Sequence, residues 1–373
     1  MPLKNVANKM RNNIPKIRPL TLLKIVILLF VFFIAAYQRL KLFGDVGKDI
    51  YAYEKAIQDL FRGVNPYEWT LSSFSNPDDP GNHGFSYFPL LLYVNGFLYV
   101  IALKFNLTFQ YLWKVPVILA DLGVGFILIN HFRLKRFLPL IFSLILWFFN
   151  PYFFLKSNYV YFDPLTIFFM LLALYYLEKD DILSGSLYAI AVGFKTFPII
   201  LLPLFFLKAK NKLSMFFSMI IVGLAMSLPF ITNPTDFLIY LKGTLFVHQE
   251  RFIQGRPFLF YISYFYKIEF FQIIPLKWYS TLSIFSGWIV STVLVLKNKL
   301  INKYIIASLI FILFYLFTPV LNRTYLLWAL PVFVLGADNL SKRYPYYLPL
   351  TVFWFFYYWY LIPWKDGFHI WRP

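Results

Sequence analysis

The sequence predicts an all-α polytopic membrane protein, and three observations carry that expectation. Hydrophobic residues make up 60% of the 373 positions and charged residues only 14%. Mean hydropathy is +0.64. Apolar runs of roughly 20 residues, each enough for a membrane-spanning helix, recur between short basic segments. An average soluble protein is about 45–50% apolar and about 25% charged, and a soluble sphere of this size could not hide so much apolar surface.

Runs 21–38, 137–155, 213–235, 278–296, 304–322 and 344–364 can each cross about 30 Å of hydrocarbon, and only the first carries a charge, Lys24. Run 111–132 contains Asp121, and run 157–177 contains Asp163. Runs 182–194 and 196–207 are short and flank Lys195, and 324–337 is also short. The first run is too long for a cleavable leader, and no small-residue cleavage site follows it.

Five short segments hold 16 of the 35 basic residues. They are the tail (Lys4 to Arg18), 133–136, 208–212, 297–303 and 342–343. Basic loops stay in the cytoplasm, so the net charge of +18 reads as orientation and not as a nucleic-acid surface. Loop 41–84, with seven acids against four basic residues, then lies outside. Residues 85–132 hold two apolar runs yet must cross once. Segment 85–103, with Pro89 and Asn95–Gly96, is therefore expected to be partly re-entrant or to lie at the outer interface. The pair around Lys195 is expected to go out and back, or to form two half-helices. The sum is one membrane domain, 1–373, of about 11 spans. It has a cytoplasmic tail at 1–20, an outer catalytic loop at 41–84 and an outer segment at 234–277. Chemistry is expected on that outer face, where nucleotide sugars and ATP are scarce. No glycine loop for phosphates is present. The absence of cysteine excludes disulfides and thiol nucleophiles.

Within 49–62, Ile50, Tyr53, Ile57, Leu60 and Phe61 are spaced for an amphipathic surface helix. Gly63 ends it and Asn65–Pro66 turns the chain. Asp49, at its start, suits either an N-cap or a general base for an acceptor hydroxyl. Asp45 is its rival. Asp121 and Asp163 are acids in apolar runs and hence site candidates. Their bland readings are an internal polar lock for Asp121 and an N-cap for Asp163. His248, Arg251 and Arg256 crowd one aromatic stretch that suits a phosphate or interfacial anchoring. Lys195 reaches a phosphate or snorkels to the interface. The histidines show no metal spacing, so neither metal nor other cofactor is expected.

Together these stretches resemble the GT-C superfamily of polytopic glycosyltransferases. They are most similar to family 87 and to glycosylphosphatidylinositol mannosyltransferase I. The matching residues are Asp49-Ile-Tyr-Ala-Tyr with Gly63-Val-Asn65-Pro66-Tyr67; Tyr87-Phe-Pro89-Leu; Lys114-Val-Pro116 through Asp121; Asn150-Pro151 through Asp163; Lys195-Thr-Phe-Pro198; His248-Gln-Glu-Arg251; and Asn322-Arg323-Thr-Tyr325-Leu-Leu-Trp328. The resemblance implies a GT-C-like bundle. It implies that Asp49 (with Asp45 in reserve) serves the acceptor. His248, Arg251, Arg256 and Lys195 would hold the donor phosphate. Asp163, Asp121, Tyr87, Asn322 and Arg323 are further site candidates.

The implied reaction is inverting transfer of a sugar, mannose by resemblance, from a polyprenyl-phosphate donor to a hydroxyl of a glycolipid or glycan acceptor. Membrane lipids are the other expected partner, and nucleic acid is not. The expected location is a prokaryotic plasma membrane with the site outside, or the endoplasmic reticulum in a eukaryote. A transporter or flippase for a lipid-linked sugar is the alternative. It would share the groove and the outer charges but needs a polar path across the membrane. Seven acids in one outer loop and the His/Arg stretch argue against a purely structural scaffold.

Overall fold

The computed structural model describes residues 19–41, 49–75, 84–150, 162–247, 254–255, 257–258, 276–297, 301–322 and 324–340. Within these the chain is almost entirely helical. In order run α1 (Pro19–Lys41), α2 (Asp49–Phe61), α3 (Pro66–Ser75), α4 (Pro89–Phe105), the single turn α5 (Phe109–Leu112), α6 (Lys114–Phe132) and α7 (Phe137–Phe148). Then come α8 (Asp163–Tyr176), α9 (Asp181–Phe194), a 3₁₀ segment (Phe197–Leu201), α10 (Leu202–Lys208), α11 (Lys212–Ile231) and α12 (Pro234–Leu241). A π turn, Lys242–Phe246, continues α12. The last helices are α13 (Leu276–Lys297), α14 (Lys303–Phe317) and α15 (Tyr325–Leu340). The strands are two residues each: Gln254–Gly255 pairs in parallel with Val320–Leu321. Helices Pro19–Lys41, Phe109–Phe132 and Lys212–Ile231 are long and apolar enough to cross a membrane, and several shorter apolar helices accompany them. This is an all-α polytopic membrane protein.

The bundle has two chemically distinct ends. At one, Lys24 donates to the Leu134 carbonyl (3.3 Å). Asp338 binds His131 (3.0 Å) and Arg136 (2.8 Å). His131 stacks edge-on against Tyr304. Glu178 lies 3.5 Å from Lys208 and 3.6 Å from Lys303. These contacts gather the basic segments around 133, 208 and 303 at a single basic end. The opposite loop end holds α2, α3, the starts of α4, α6 and α8, and the turn at Lys195.

Helix α2 shows how pattern becomes packing. Ile50, Tyr53, Ala56 and Ile57 are buried on one stripe, as the period requires. The stripe is covered by protein and not by lipid alone. Tyr53 packs on Phe85, Tyr87, Trp113 and Phe162. Gly63, at φ +74°, ends the helix where only a left-handed residue fits. Asn65 then makes the turn: its Oδ1 accepts from the Tyr67 amide (3.1 Å) and its Nδ2 donates to Asp236 (3.0 Å). That ties the loop to α12.

Gly84 re-enters the bundle at φ +59°, where a Cβ would sit 2.5 Å from the Thr70 Cα. Thr70 Oγ1 accepts from the Phe85 amide (2.7 Å) there. Gly84→Ala is therefore expected to cost at least about 1–2 kcal/mol from backbone strain alone. A thermal-melting comparison in detergent reads it as a lowered Tm, and an unchanged Tm would contradict the packing.

Helix α4 is continuous through Asn95–Gly96, both of which are buried inside it. It begins beside Tyr87 and Tyr53. Farther along, Tyr99 packs on Phe61 and Phe109. The left-handed Asn106 stops it, and within eight residues the chain is at the start of α6.

The segments around Lys195 go out and back. Tyr188 and Phe205 rings lie 4.4 Å apart, and Tyr188 Oη donates to the Pro198 carbonyl (3.1 Å). In one straight helix residues 188 and 205 would be about 25 Å apart. Pro198 lacks the amide needed to continue α9. Lys195 is thus the tip of a helical hairpin whose base, Asp181 against the Asn211 amide, is at the basic end.

Candidate active site

The hairpin tip meets the first residue of α8. Lys195 Nζ donates to Asp163 Oδ1 at 2.9 Å, with the two side chains 11% and 1% exposed. Trp328 Nε1 donates to the same oxygen. Asp163 is not an N-cap: Phe162 precedes the helix and Asp163 occupies its first turn, where the helix dipole favours a carboxylate. The Lys195 ammonium faces the rings of Trp328 (5.2 Å), Phe162 (5.3 Å) and Tyr325 (5.8 Å). Trp328 is itself stacked on Tyr325 (3.9 Å) and Phe197 (4.0 Å). The result is one ammonium in an aromatic cage, tethered by a single hydrogen bond among the described residues. An ammonium has three N–H donors, and among the described residues only one is taken.

Asp49 is the first residue of α2, one turn before Tyr53. Tyr53 touches Phe162 and Tyr87, and Tyr87 packs on Phe162 (4.8 Å). One ring contact, Tyr53 on Phe162, therefore joins the first turn of α2 to the Lys195 cage. Glu54, which the sequence reading did not single out, accepts from Gln110 (2.9 Å). Partial burial raises its carboxyl above the usual range. That bond pins α2 to α5 at the entrance of α6.

Asp121 has a different setting. Arg39, fully buried, pairs with it, and Trp147 Nε1 donates to its backbone carbonyl (3.0 Å). Arg39 also reaches the Ala35 carbonyl (2.9 Å) and the Phe148 carbonyl (3.4 Å). Asp121 is thus an internal lock between α1, α6 and α7. Its partner is Arg39 on α1, although Lys114 is only seven residues away.

Asn322 follows the second strand, and its carbonyl accepts from the Tyr325 amide (3.0 Å) at the start of α15. Asp45, His248, Arg251, Arg256 and Arg323 lie outside the described residues. The neighbours of the His248–Arg251 stretch are at the loop end. The π turn that leads to it packs on the start of α3, where Gly243 approaches Tyr67. Gln254 pairs with Val320 just before Asn322.

An apolar groove of about 450 Å³ opens between α4 and α6. It is walled by Val94, Phe97 and Leu98 of α4 and by Val115, Pro116 and Leu119 of α6. Leu90, one turn earlier on α4, touches the helix at Gly193, two residues from Lys195.

Apolar helices around a partly buried charged pair define an integral membrane protein with a polar site at one end of its bundle. The family model of glycosyltransferase family 87 matches residues 85–337, more than half of the 373, and the chain belongs to that family. It is a membrane glycosyltransferase. No curated protein matches the sequence. The matched stretch includes Lys195, Asp163 and Trp328 and begins after the loop that carries Asp49.

Proposed function

We propose that the protein transfers a sugar, mannose by its motif resemblance, from a polyprenyl phosphate to an acceptor hydroxyl at the loop end. Positive-inside orientation puts the basic end in the cytoplasm and the loop end outside. The observation that carries the donor class is the Lys195 cage, whose ammonium makes one hydrogen bond among the described residues; an apolar groove between α4 and α6 supports it. The groove takes the prenyl tail and the ammonium takes phosphate oxygens.

Asp49 accepts the acceptor's hydroxyl proton as the hydroxyl oxygen attacks the anomeric carbon from the face opposite the phosphate. The bond from that carbon to the phosphate oxygen breaks, and its electron pair leaves with the polyprenyl phosphate. Inversion follows from single displacement. Lys195, aided by His248, Arg251 and Arg256, stabilises the charge that grows on the leaving phosphate. In a site shielded from water such interactions exceed their strength in solution. The acceptor is a glycolipid or glycan.

Asp49→Asn is expected to abolish transfer from polyprenyl-phosphate sugar, while membrane insertion and Tm stay at wild-type values. Wild-type activity in that variant would remove Asp49 from the mechanism. A transporter reading needs unpaired polar groups across the bundle. Its two sequence hints, Asp121 and Lys195, are each engaged, with Arg39 and Asp163, which favours the enzyme.

A further inference from the structure

We infer that Asp163 is a positioning residue for the donor phosphate, acting through Lys195; the inference rests on the donor reading above. Lys195 sits at a hairpin tip, where no helical backbone fixes its direction. Its long stem can snorkel toward water and lipid headgroups, and its burial disfavours a charged ammonium, which the surrounding ring faces offset only in part. Asp163 answers both problems. It supplies the counter-charge at 2.9 Å, and its own position is set by the start of α8.

Trp328 adds the second constraint. Its indole N–H binds the same Oδ1, so the carboxylate is held from α15 as well as from the hairpin. Oδ2 has no hydrogen-bond partner among the described residues. Contrast Asp338 at the basic end, where Arg136 takes both oxygens and His131 adds a third bond. That group is saturated as a pure fastener would be. Asp163 instead holds Lys195 by one bond and, among the described residues, leaves its other donors unspent. The pair presents a charged ammonium; it does not consume it. Asp163 itself touches no reacting atom.

The test uses full-length protein in detergent, polyprenyl monophosphate as the binding probe, and labelled polyprenyl-phosphate sugar for kinetics. Asp163→Asn should weaken polyprenyl monophosphate binding at least tenfold, as Lys195→Met does. It should raise the donor KM and leave the acceptor KM alone, and Asp163→Glu should recover part of the loss. The double variant Asp163→Lys with Lys195→Asp separates positioning from fastening. It should recover Tm relative to the single reversals and yet fail to bind the probe. Recovery of both stability and binding in the swap would reduce the pair to a structural bridge. So would wild-type affinity in Asp163→Asn. Absence of binding by the wild-type protein would overturn the donor reading and this inference with it. Wild-type binding with an unaffected Asp163→Asn would overturn this inference alone.

Discussion

Lys195→Met should reduce sugar transfer by about 10²–10³-fold, the usual effect of removing one donor that stabilises a developing oxyanion. Methionine keeps most of the stem's volume inside the cage of Phe162, Tyr325 and Trp328 and removes only the charge. Asp163 then keeps the Trp328 indole N–H and the favourable end of α8, so the fold should tolerate the change. To guard against an unpaired buried carboxylate, the double variant Lys195→Met with Asp163→Asn provides a neutral pair of similar shape. The double variant should melt near the wild type, and both variants should lose activity by that factor. The measurement is initial rate with labelled donor, normalised to folded protein. Activity within a few-fold of wild type in the double variant would remove Lys195 from the chemistry.

The second large effect concerns stability. Arg39→Leu should destabilise the bundle by about 3–5 kcal/mol, the cost of breaking a buried pair from one side. Arg39 is 0% exposed and holds Asp121, the Ala35 carbonyl and the Phe148 carbonyl at once. Its loss leaves a carboxylate in the packed core between α1, α6 and α7. Replacing both partners, Arg39→Met with Asp121→Leu, removes the stranded charge and should restore most of the stability. Such apolar replacements are often neutral or stabilising. Thermal melting monitored by size-exclusion of detergent-solubilised protein reads the series. Equal melting of Arg39→Leu and wild type would mean the pair does not hold these helices together.

The parts of this molecule that sequence made legible are those governed by local pattern. Runs of apolar residues identified the class. The stripe from Ile50 to Phe61 and the stop at Gly63 located α2 within a residue or two. The break at Lys195–Pro198 followed from the two short runs that flank it. Asp121 as an internal lock was one of its two readings. What pattern could not supply was partnership across the chain. Lys195 and Asp163 are 32 residues apart, and Trp328 is 165 residues from Asp163. No periodicity joins them. Arg39 looked like one more basic residue at a helix end; only packing shows it facing Asp121. The stripe of α2 read as a lipid-facing surface because a membrane and a neighbouring helix present the same apolar chemistry. Trp328 stood in a motif without a role, since an indole's hydrogen-bond partner is set by tertiary structure. A signal for it did exist. Buried tryptophan seeks an acceptor, and Asp163 was an acid in an apolar run that needed a donor.

Glycosyl transfer is settled by family membership; the donor is the central claim that remains to be measured directly. Purified wild-type protein incubated with labelled polyprenyl-phosphate mannose and total membrane lipids should yield a product heavier by one hexose together with free polyprenyl phosphate, as read by mass spectrometry. Labelled sugar that stays on its polyprenyl phosphate, or that merely changes leaflet in sealed vesicles, would contradict it.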